Sequence, residues 1–345
     1  MASFVEDILM KLTSGKDLNE AEAYNAILSI YKDEMTDVQI MGFQVALLMK
    51  GPSLQEISAI ARAMRDLCIK IKPDISGELM DTCGTGGGLS TFNISTASAF
   101  VAAASGIKVA KTGSKSSINL SGSADVLEAL GVEIHQSAKG VGKLIEEVGM
   151  AFLYAPLFHP VMRKMIHPEK DLGIKTIFYT IIGPLINPAQ ATRHVMGVYK
   201  PELLNMVTEV AMSLGYTKAL FVHGDGGMDE ISLLGTTTIN ELNNGIVTSY
   251  KITPEELGMK RCSLNDIATG TPQANATMIK DVFSGKNKGP RRQAVILNSA
   301  AALMVGDKAS SLREGVDLAK VIIDDGLAQK KLNEFIEASH GCKNL

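Results

Sequence analysis

From about residue 78 onward the chain alternates short apolar runs with longer helical stretches, and this alternation limits the fold more than any other feature. "ELMDTC", "IKVAKTG", "VEIHQ", "MAFLYAP", "HVMGVY" and "KALFVHGD" read as strands. Between them, "STASAFVAAASG", "SADVLEALG", "AKGVGKLIEEVG" and "PELLNMVTEVAMSLG" read as helices ended by glycine. Strands and helices in this order build a mostly parallel sheet covered by helices. "TTTINELNNGIVTSYKI" differs: two β-rich runs flank Asn243-Asn244-Gly245, which predicts a hairpin at an edge of that sheet. Residues 1 to about 70 contain only helical patterns, with Thr36 and Ser53 as N-caps and Gly51 as a stop, and the tail from "RRQAVIL" is helical again.

Length and composition narrow the class. The chain has 345 residues, more than one typical core, and is 46% hydrophobic with 5% aromatics and no Trp, so its interior must be largely aliphatic. A net charge of −3 gives no overall field for nucleic acid or a membrane surface. Cys68, Cys83, Cys262 and Cys342 show no CxxC spacing, which fits reduced thiols better than a disulfide framework or a zinc site. The N-terminal stretch lacks a basic leader and reads as an ordinary helix, and no apolar run approaches the ~18 residues of a membrane span. The expectation is a cytoplasmic protein with neither nucleic acid nor membrane as partner.

"DTCGTGGGLSTFNISTASAF" is a strand, a turn with Gly84, Gly86, Gly87 and Gly88, and a helix. Glycines let backbone amides approach an anion, and the helix N-terminus adds free N–H groups, so the turn predicts a phosphate site. Asn93, Ser95 and Thr96 are small polar residues able to bond phosphate or a magnesium-bound water. Taken alone, the turn fits a tight β–α connection with a Ser/Thr cap equally well, and its spacing is neither the dinucleotide nor the P-loop fingerprint. A second strand end, "VAKTGSKSSINLSGS", adds Lys111, Lys115 and Ser121-Gly122-Ser123, so two phosphate-competent loops predict a ligand with two phosphate groups. "VHGDGGMDEIS" places Asp225, Asp229 and Glu230 after a third strand, where carboxylates suit a magnesium ion bridging diphosphate oxygens, although such a triplet is usually a solvated turn.

In this order these pieces resemble the anthranilate phosphoribosyltransferases, relatives of the pyrimidine nucleoside phosphorylases. The resemblance also rests on "MTDVQIMGFQVALLMKG", "FHPVMRKM", "LGIKTIFYTIIGPLINPA" and "GPRRQAVILNSAAAL", and it covers nearly the whole chain. It implies a small all-helical domain (1–72, joined by a segment near 165–185), a larger α/β domain (73–345) and a cleft between them. It implies a homodimer through the helical domain, phosphoribosyl pyrophosphate as donor, and Mg2+. Position by position, Gly84, Thr85, Gly86, Gly87, Asn93, Ser95, Thr96, Lys111 and Ser123 match the donor site. Ser95, Asp229 and Glu230 match the metal site. Thr112, Ser114, His159, Glu169, Gly183 and Pro184 match the acceptor pocket, although a lone histidine such as His159 is usually a packed one. No covalent nucleophile is implied: catalysis is positioning plus electrostatics at an oxocarbenium-like ribose.

The chain departs from the family pattern in places. The glycine turn "GLSTFN" is one residue shorter and lacks an Asp, "KTGSK" stands where the family has KHGNR, and Ile118 takes a Ser position. Glu169 stands where the family carries an Arg facing the anthranilate carboxylate, a swing of roughly 2 to 5 kcal/mol in a dry site. Arg163 lies about two turns earlier, and Lys170 points about 100° away on a helix. These losses fall on the acceptor side and predict weak use of anthranilate, with a paralogue using a less acidic acceptor as the alternative. A nucleoside phosphorylase and a non-catalytic binding protein are further alternatives, and "GSADVLEALGV" with "GPLINPA" weighs against the former.

Overall fold

The computed structural model describes residues 3–86, 88–116 and 120–343, without the side chains of His167, Glu169 and Lys170. Gly87 and Ile118 therefore lie outside the described residues, as does the side chain of Glu169.

Four helices come first: α1 (Phe4–Thr13), α2 (Glu20–Tyr31), α3 (Asp37–Lys50) and α4 (Leu54–Asp66). Each starts at a reciprocal cap, the pairs being Ser3 with Glu6, Asn19 with Glu22, Thr36 with Gln39 and Ser53 with Glu56. Gly51 ends α3 at φ +80°, a conformation that glycine adopts without cost. Glu56 is fully buried, yet its carboxylate accepts from Leu18 N–H at 2.9 Å and pairs with Lys50 at 2.8 Å, so the charge is compensated.

Seven strands follow, β1 (Met80–Gly84), β2 (Val109–Gly113), β3 (Met150–Tyr154), β4 (Arg193–Gly197), β5 (Lys218–Gly224), β6 (Thr237–Asn243) and β7 (Ile246–Ile252). They form one sheet in the order β3-β2-β1-β4-β5-β6-β7. The first five are parallel, and β6 and β7 close one edge as an antiparallel hairpin through Asn244 (φ +49°) and Gly245 (φ +83°). "VEIHQ" is not a strand. Glu133 N–H and the Gln136 amide are drawn instead to Ser339, at 3.0 and 2.7 Å, far along the chain.

Helices α5 (Ile94–Ala104), α6 (Ser123–Leu130) and α7 (Ala138–Glu147) connect the early strands. After β3 come a short helix α8 (Ala155–Phe158), α9 (Pro160–Leu172), a π-helical turn over Phe178–Ile182 and the single turn α10 (Gly183–Leu185). Helix α9 packs on α2 and α3, and Val161, Met165, Phe178 and Ile182 share one apolar core with Ile27, Phe43 and Ile60. A second core lies between the other face of the sheet and the C-terminal helices, where Phe100 packs edge-on to Phe283 and Phe335. The carboxyl ends of β1, β2 and β5 thus face the segment 155–185 across a gap.

Candidate active site

That gap is a cleft of about 220 Å³. Its polar wall is the glycine turn, Ser90 to Ser95, the loop after β2 and the acidic turn after β5. Its other wall includes His159, Met162, Ile166, Lys175, Tyr179, Gly183 and Pro184. Ligands of open α/β sheets bind at such a place, outside the carboxyl ends of the strands where the strand order reverses.

The glycines serve a purpose that the sequence does not show. A Cβ on Gly84 would lie 2.4 Å from Asp229 Oδ2, one on Gly88 2.4 Å from Gly227 O, and one on Gly197 1.5 Å from Asp229 O. The turn is therefore bare so that the acidic turn can lie directly on it, and within Gly84–Gly88 only Gly86 among the described residues needs positive φ, at +64°. Gly86 N–H donates to Asp229 Oδ2 at 2.7 Å, and Thr85 Oγ1 accepts from Tyr199 N–H at 3.0 Å.

Asp229 and Glu230 both line the cleft. Burial pushes the Asp229 carboxyl up, opposed by the Gly86 N–H and by the charge of Lys175. Burial and then the Asp229 charge push Glu230 well up, opposed by the Thr91 hydroxyl, which donates to its Oε1 at 2.7 Å. Glu230 Oε2 is buried and has no hydrogen-bond partner among the described residues. Two largely buried carboxylates side by side at the cleft wall, with one oxygen unpartnered among the described residues, fit a divalent cation, which would replace the missing donor and cancel the repulsion. The folded chain holds protons on these groups more tightly than the unfolded chain, so in the absence of a cation their contribution to stability declines as pH rises above the ordinary carboxylate range. The gain in Tm on adding Mg2+ is expected to grow between about pH 5.5 and about pH 8, because fewer protons then compete. Thermal melts with and without chelator at both pH values check this; equal gains would put the ion elsewhere.

Asp81, Cys83 and His194 form a second cluster with donor atoms within 4.8 Å of one another. A carboxylate offers about four lone-pair sites. Those of Asp81 already accept from Thr82 N–H at 2.7 Å, Thr112 N–H at 3.0 Å, Thr112 Oγ1 at 2.6 Å and Asn187 Nδ2 at 2.8 Å. Burial and the Asp81 charge also push the Cys83 thiol far up, away from the thiolate that a metal needs. The cluster is a buried brace beneath the cleft.

The structure sorts the residues expected from the sequence. Gly84, Thr85, Gly86, Asn93, Ser95, Ser123, Thr112, Ser114, His159, Gly183 and Pro184 line the cleft with the two acids. Thr96 and Lys111 do not: both are fully buried. The strand turns Lys111 into the interior, where its ammonium donates to the Thr82 carbonyl and reaches Ser95 Oγ at 3.5 Å, and burial lowers its pKa. His159 is buried, has no partner for Nδ1 among the described residues, and its pKa is lowered to about 4 by burial, so its imidazole is neutral at physiological pH. Arg163 is exposed on α9 and is not a lining residue. Sequence reasoning passed over Lys175 and Tyr179. Tyr179 ends the stretch "LGIKTIFY"; its hydroxyl lies 3.1 Å from Ser114 Oγ and donates to Lys115 O at 3.3 Å.

Residues 76–329 match the α/β domain of a glycosyl transferase family, and residues 6–68 match its helical bundle domain. The chain is 46% identical over 330 residues to the anthranilate phosphoribosyltransferase of Acetivibrio thermocellus, covering 95% of both chains. Among solved structures it is similar to the anthranilate phosphoribosyltransferase of Thermus thermophilus, with TM-score 0.90 and 38% identity over 97% of this chain and 99% of that one. It is also similar to the Saccharomyces cerevisiae enzyme in complex with PRPP and Mg, with TM-score 0.88 and 27% identity over 98% of both chains.

Proposed function

The chain belongs to the anthranilate phosphoribosyltransferases, pentosyltransferases that join a phosphoribosyl group to anthranilate in tryptophan synthesis, and from that premise we propose how its cleft performs the transfer. The observation that carries the reading is the acid pair lying on the glycine turn, with Glu230 Oε2 unpartnered among the described residues. Phosphoribosyl pyrophosphate places its diphosphate against the start of α5, with Asn93 and Ser95 as further donors, beside a glycine turn whose Thr85 and Gly86 N–H groups are taken by Gly197 O and Asp229 Oδ2. The loop after β2 and the start of α6 at Ser123 take the ribose phosphate. Asp229 and Glu230 would hold magnesium, which would supply positive charge to the diphosphate and make it a better leaving group. The C1–O bond to diphosphate breaks as the anthranilate nitrogen forms the C1–N bond, and the nitrogen loses its proton to the departing diphosphate. Thr112, Ser114, His159, Gly183 and Pro184 position the acceptor. Neutral His159 adds no charge beside the forming cation. Water is kept off the reacting carbon by Met162 and Ile166 on the apolar wall.

The alternative of a less acidic acceptor finds no support among the relatives, which bear the anthranilate name over nearly the full chain. Glu169 nevertheless adds a negative charge to α9, so Glu169→Arg is expected to lower KM for anthranilate about tenfold at low salt and less at high salt. Steady-state kinetics at two ionic strengths read this out. The function itself predicts one pyrophosphate released per anthranilate consumed, dependent on Mg2+; pyrophosphate release with another amine but not with anthranilate would overturn it.

The same reading divides the chain near residue 72 with 165–185 returning to the helical part, places it in the cytoplasm, and makes it a homodimer through the helical domain. Val38 and Met49 of α3 and Met10 of α1 support the last point, being large apolar side chains 82%, 79% and 56% exposed on packed neighbours. Light scattering should give twice the chain mass for the parent protein and a smaller mass for Val38→Glu combined with Met49→Glu. A parent that runs as a monomer removes this part of the reading.

A further inference from the structure

We propose that Lys175 is the cation that grips the diphosphate of the donor, carried to the glycine turn from the opposite wall of the cleft. The inference rests on the phosphoribosyl-transfer reading above and adds a residue to it. Among the described residues that line the cleft, Lys115 and Lys175 are the cations. Lys115 is paired with Glu128 at 2.9 Å on the surface. Lys111 is fully buried, its ammonium on Thr82 O and near Ser95 Oγ. Lys175 is placed differently. It sits between α9 and the π-helical turn, and its Nζ crosses the cleft to donate to Gly86 O at 2.6 Å. Gly86 is the residue whose N–H donates to Asp229 Oδ2 at 2.7 Å, so ammonium, glycine turn and metal-binding acid converge on one residue. The Lys175 stem also lies by Tyr179, with Nζ 5.3 Å from the ring centroid, which steadies the ammonium at the turn.

A diphosphate seated on the glycine turn with its cation on Asp229 comes within reach of this ammonium. A phosphate oxygen is a charged acceptor and a carbonyl a neutral one, so between Gly86 O and the ligand the phosphate is the stronger acceptor for Nζ. That contact ties the segment that packs against the helical domain to the donor, and it supplies the positive charge that the buried Lys111 does not present to the cleft.

The test uses the full-length protein and inorganic pyrophosphate with Mg2+ as probe, followed by titration calorimetry, alongside steady-state kinetics. Lys175→Met is expected to weaken pyrophosphate binding and to raise KM for the donor about tenfold, with KM for anthranilate changed less than about twofold. Lys175→Arg, which keeps the charge, should stay within about threefold of the parent on all three. Lys175→Gln keeps a donor for Gly86 O without the charge, and repeats the test should Met disturb the turn. Unchanged pyrophosphate affinity in the Met and Gln variants overturns the proposal. So does a rise confined to KM for anthranilate, which would make Lys175 a partner of the acceptor carboxylate. A parent protein that binds pyrophosphate through Lys175 but does not consume anthranilate would refute the proposed function and leave this inference standing.

Discussion

Asp229→Asn combined with Glu230→Gln is expected to lower kcat/KM by about three orders of magnitude, about 4 kcal/mol of transition-state stabilisation, while making the unliganded protein more stable. The opposite signs follow from the site. Both carboxylates are pushed up by burial, and Glu230 Oε2 has no partner among the described residues, so without a cation the pair costs folding energy. Neutral amides remove that cost, and the amide introduced in place of Asp229 keeps an oxygen to accept the Gly86 N–H. A rise in Tm of about 2 °C or more in chelator is expected, with the Mg2+-dependent gain abolished. Kinetics and melts on the same preparations read both effects. Activity kept within tenfold of the parent would remove the metal site from these residues.

The second large effect lies beneath the cleft. Asp81→Ala removes the acceptor for Thr82 N–H, Thr112 N–H, Thr112 Oγ1 and Asn187 Nδ2 at once, all on buried residues. Each buried donor left unsatisfied costs about 1 to 3 kcal/mol, so a loss of at least about 4 kcal/mol is expected. Asp81→Asn retains an acceptor oxygen and should lose less than half as much. Urea midpoints at constant slope report the difference. A loss under about 1 kcal/mol for Asp81→Ala would mean that these groups find other partners and that the network is not a brace.

Strand–helix alternation, the hairpin at Asn243 to Gly245 and the caps Thr36 and Ser53 of α3 and α4 were legible in the sequence, because each depends on residues close together in the chain. The glycine turn was legible as a turn but not for its reason. Its bareness makes room for Asp229, some 140 positions away, and no local pattern records that approach. Lys111 shows the limit on the other side. A lysine at a strand end beside glycine reads as facing a ligand, yet the strand turns it into the interior, where Thr82 and Ser95 receive it. "VEIHQ" fails for a similar cause, since its partner Ser339 belongs to the last helix. Lys175 and Tyr179 were present as letters in "LGIKTIFY" but act only once segment 173–182 is laid across the cleft.

The core of the first four helices has a consequence for how the protein is made. Its apolar interior is completed by Val161, Met165, Phe178 and Ile182, which follow α4 only after three strands and four helices of the other half. At about 5 to 20 residues per second, a ribosome takes roughly 5 to 20 s to reach them after finishing α4. Throughout that interval the nascent helices present Ile27, Phe43 and Ile60 with their later partners still unmade. The early part of this chain is therefore a natural client for chaperones that hold apolar surface during translation, and truncations ending before α9 should be recovered in aggregates.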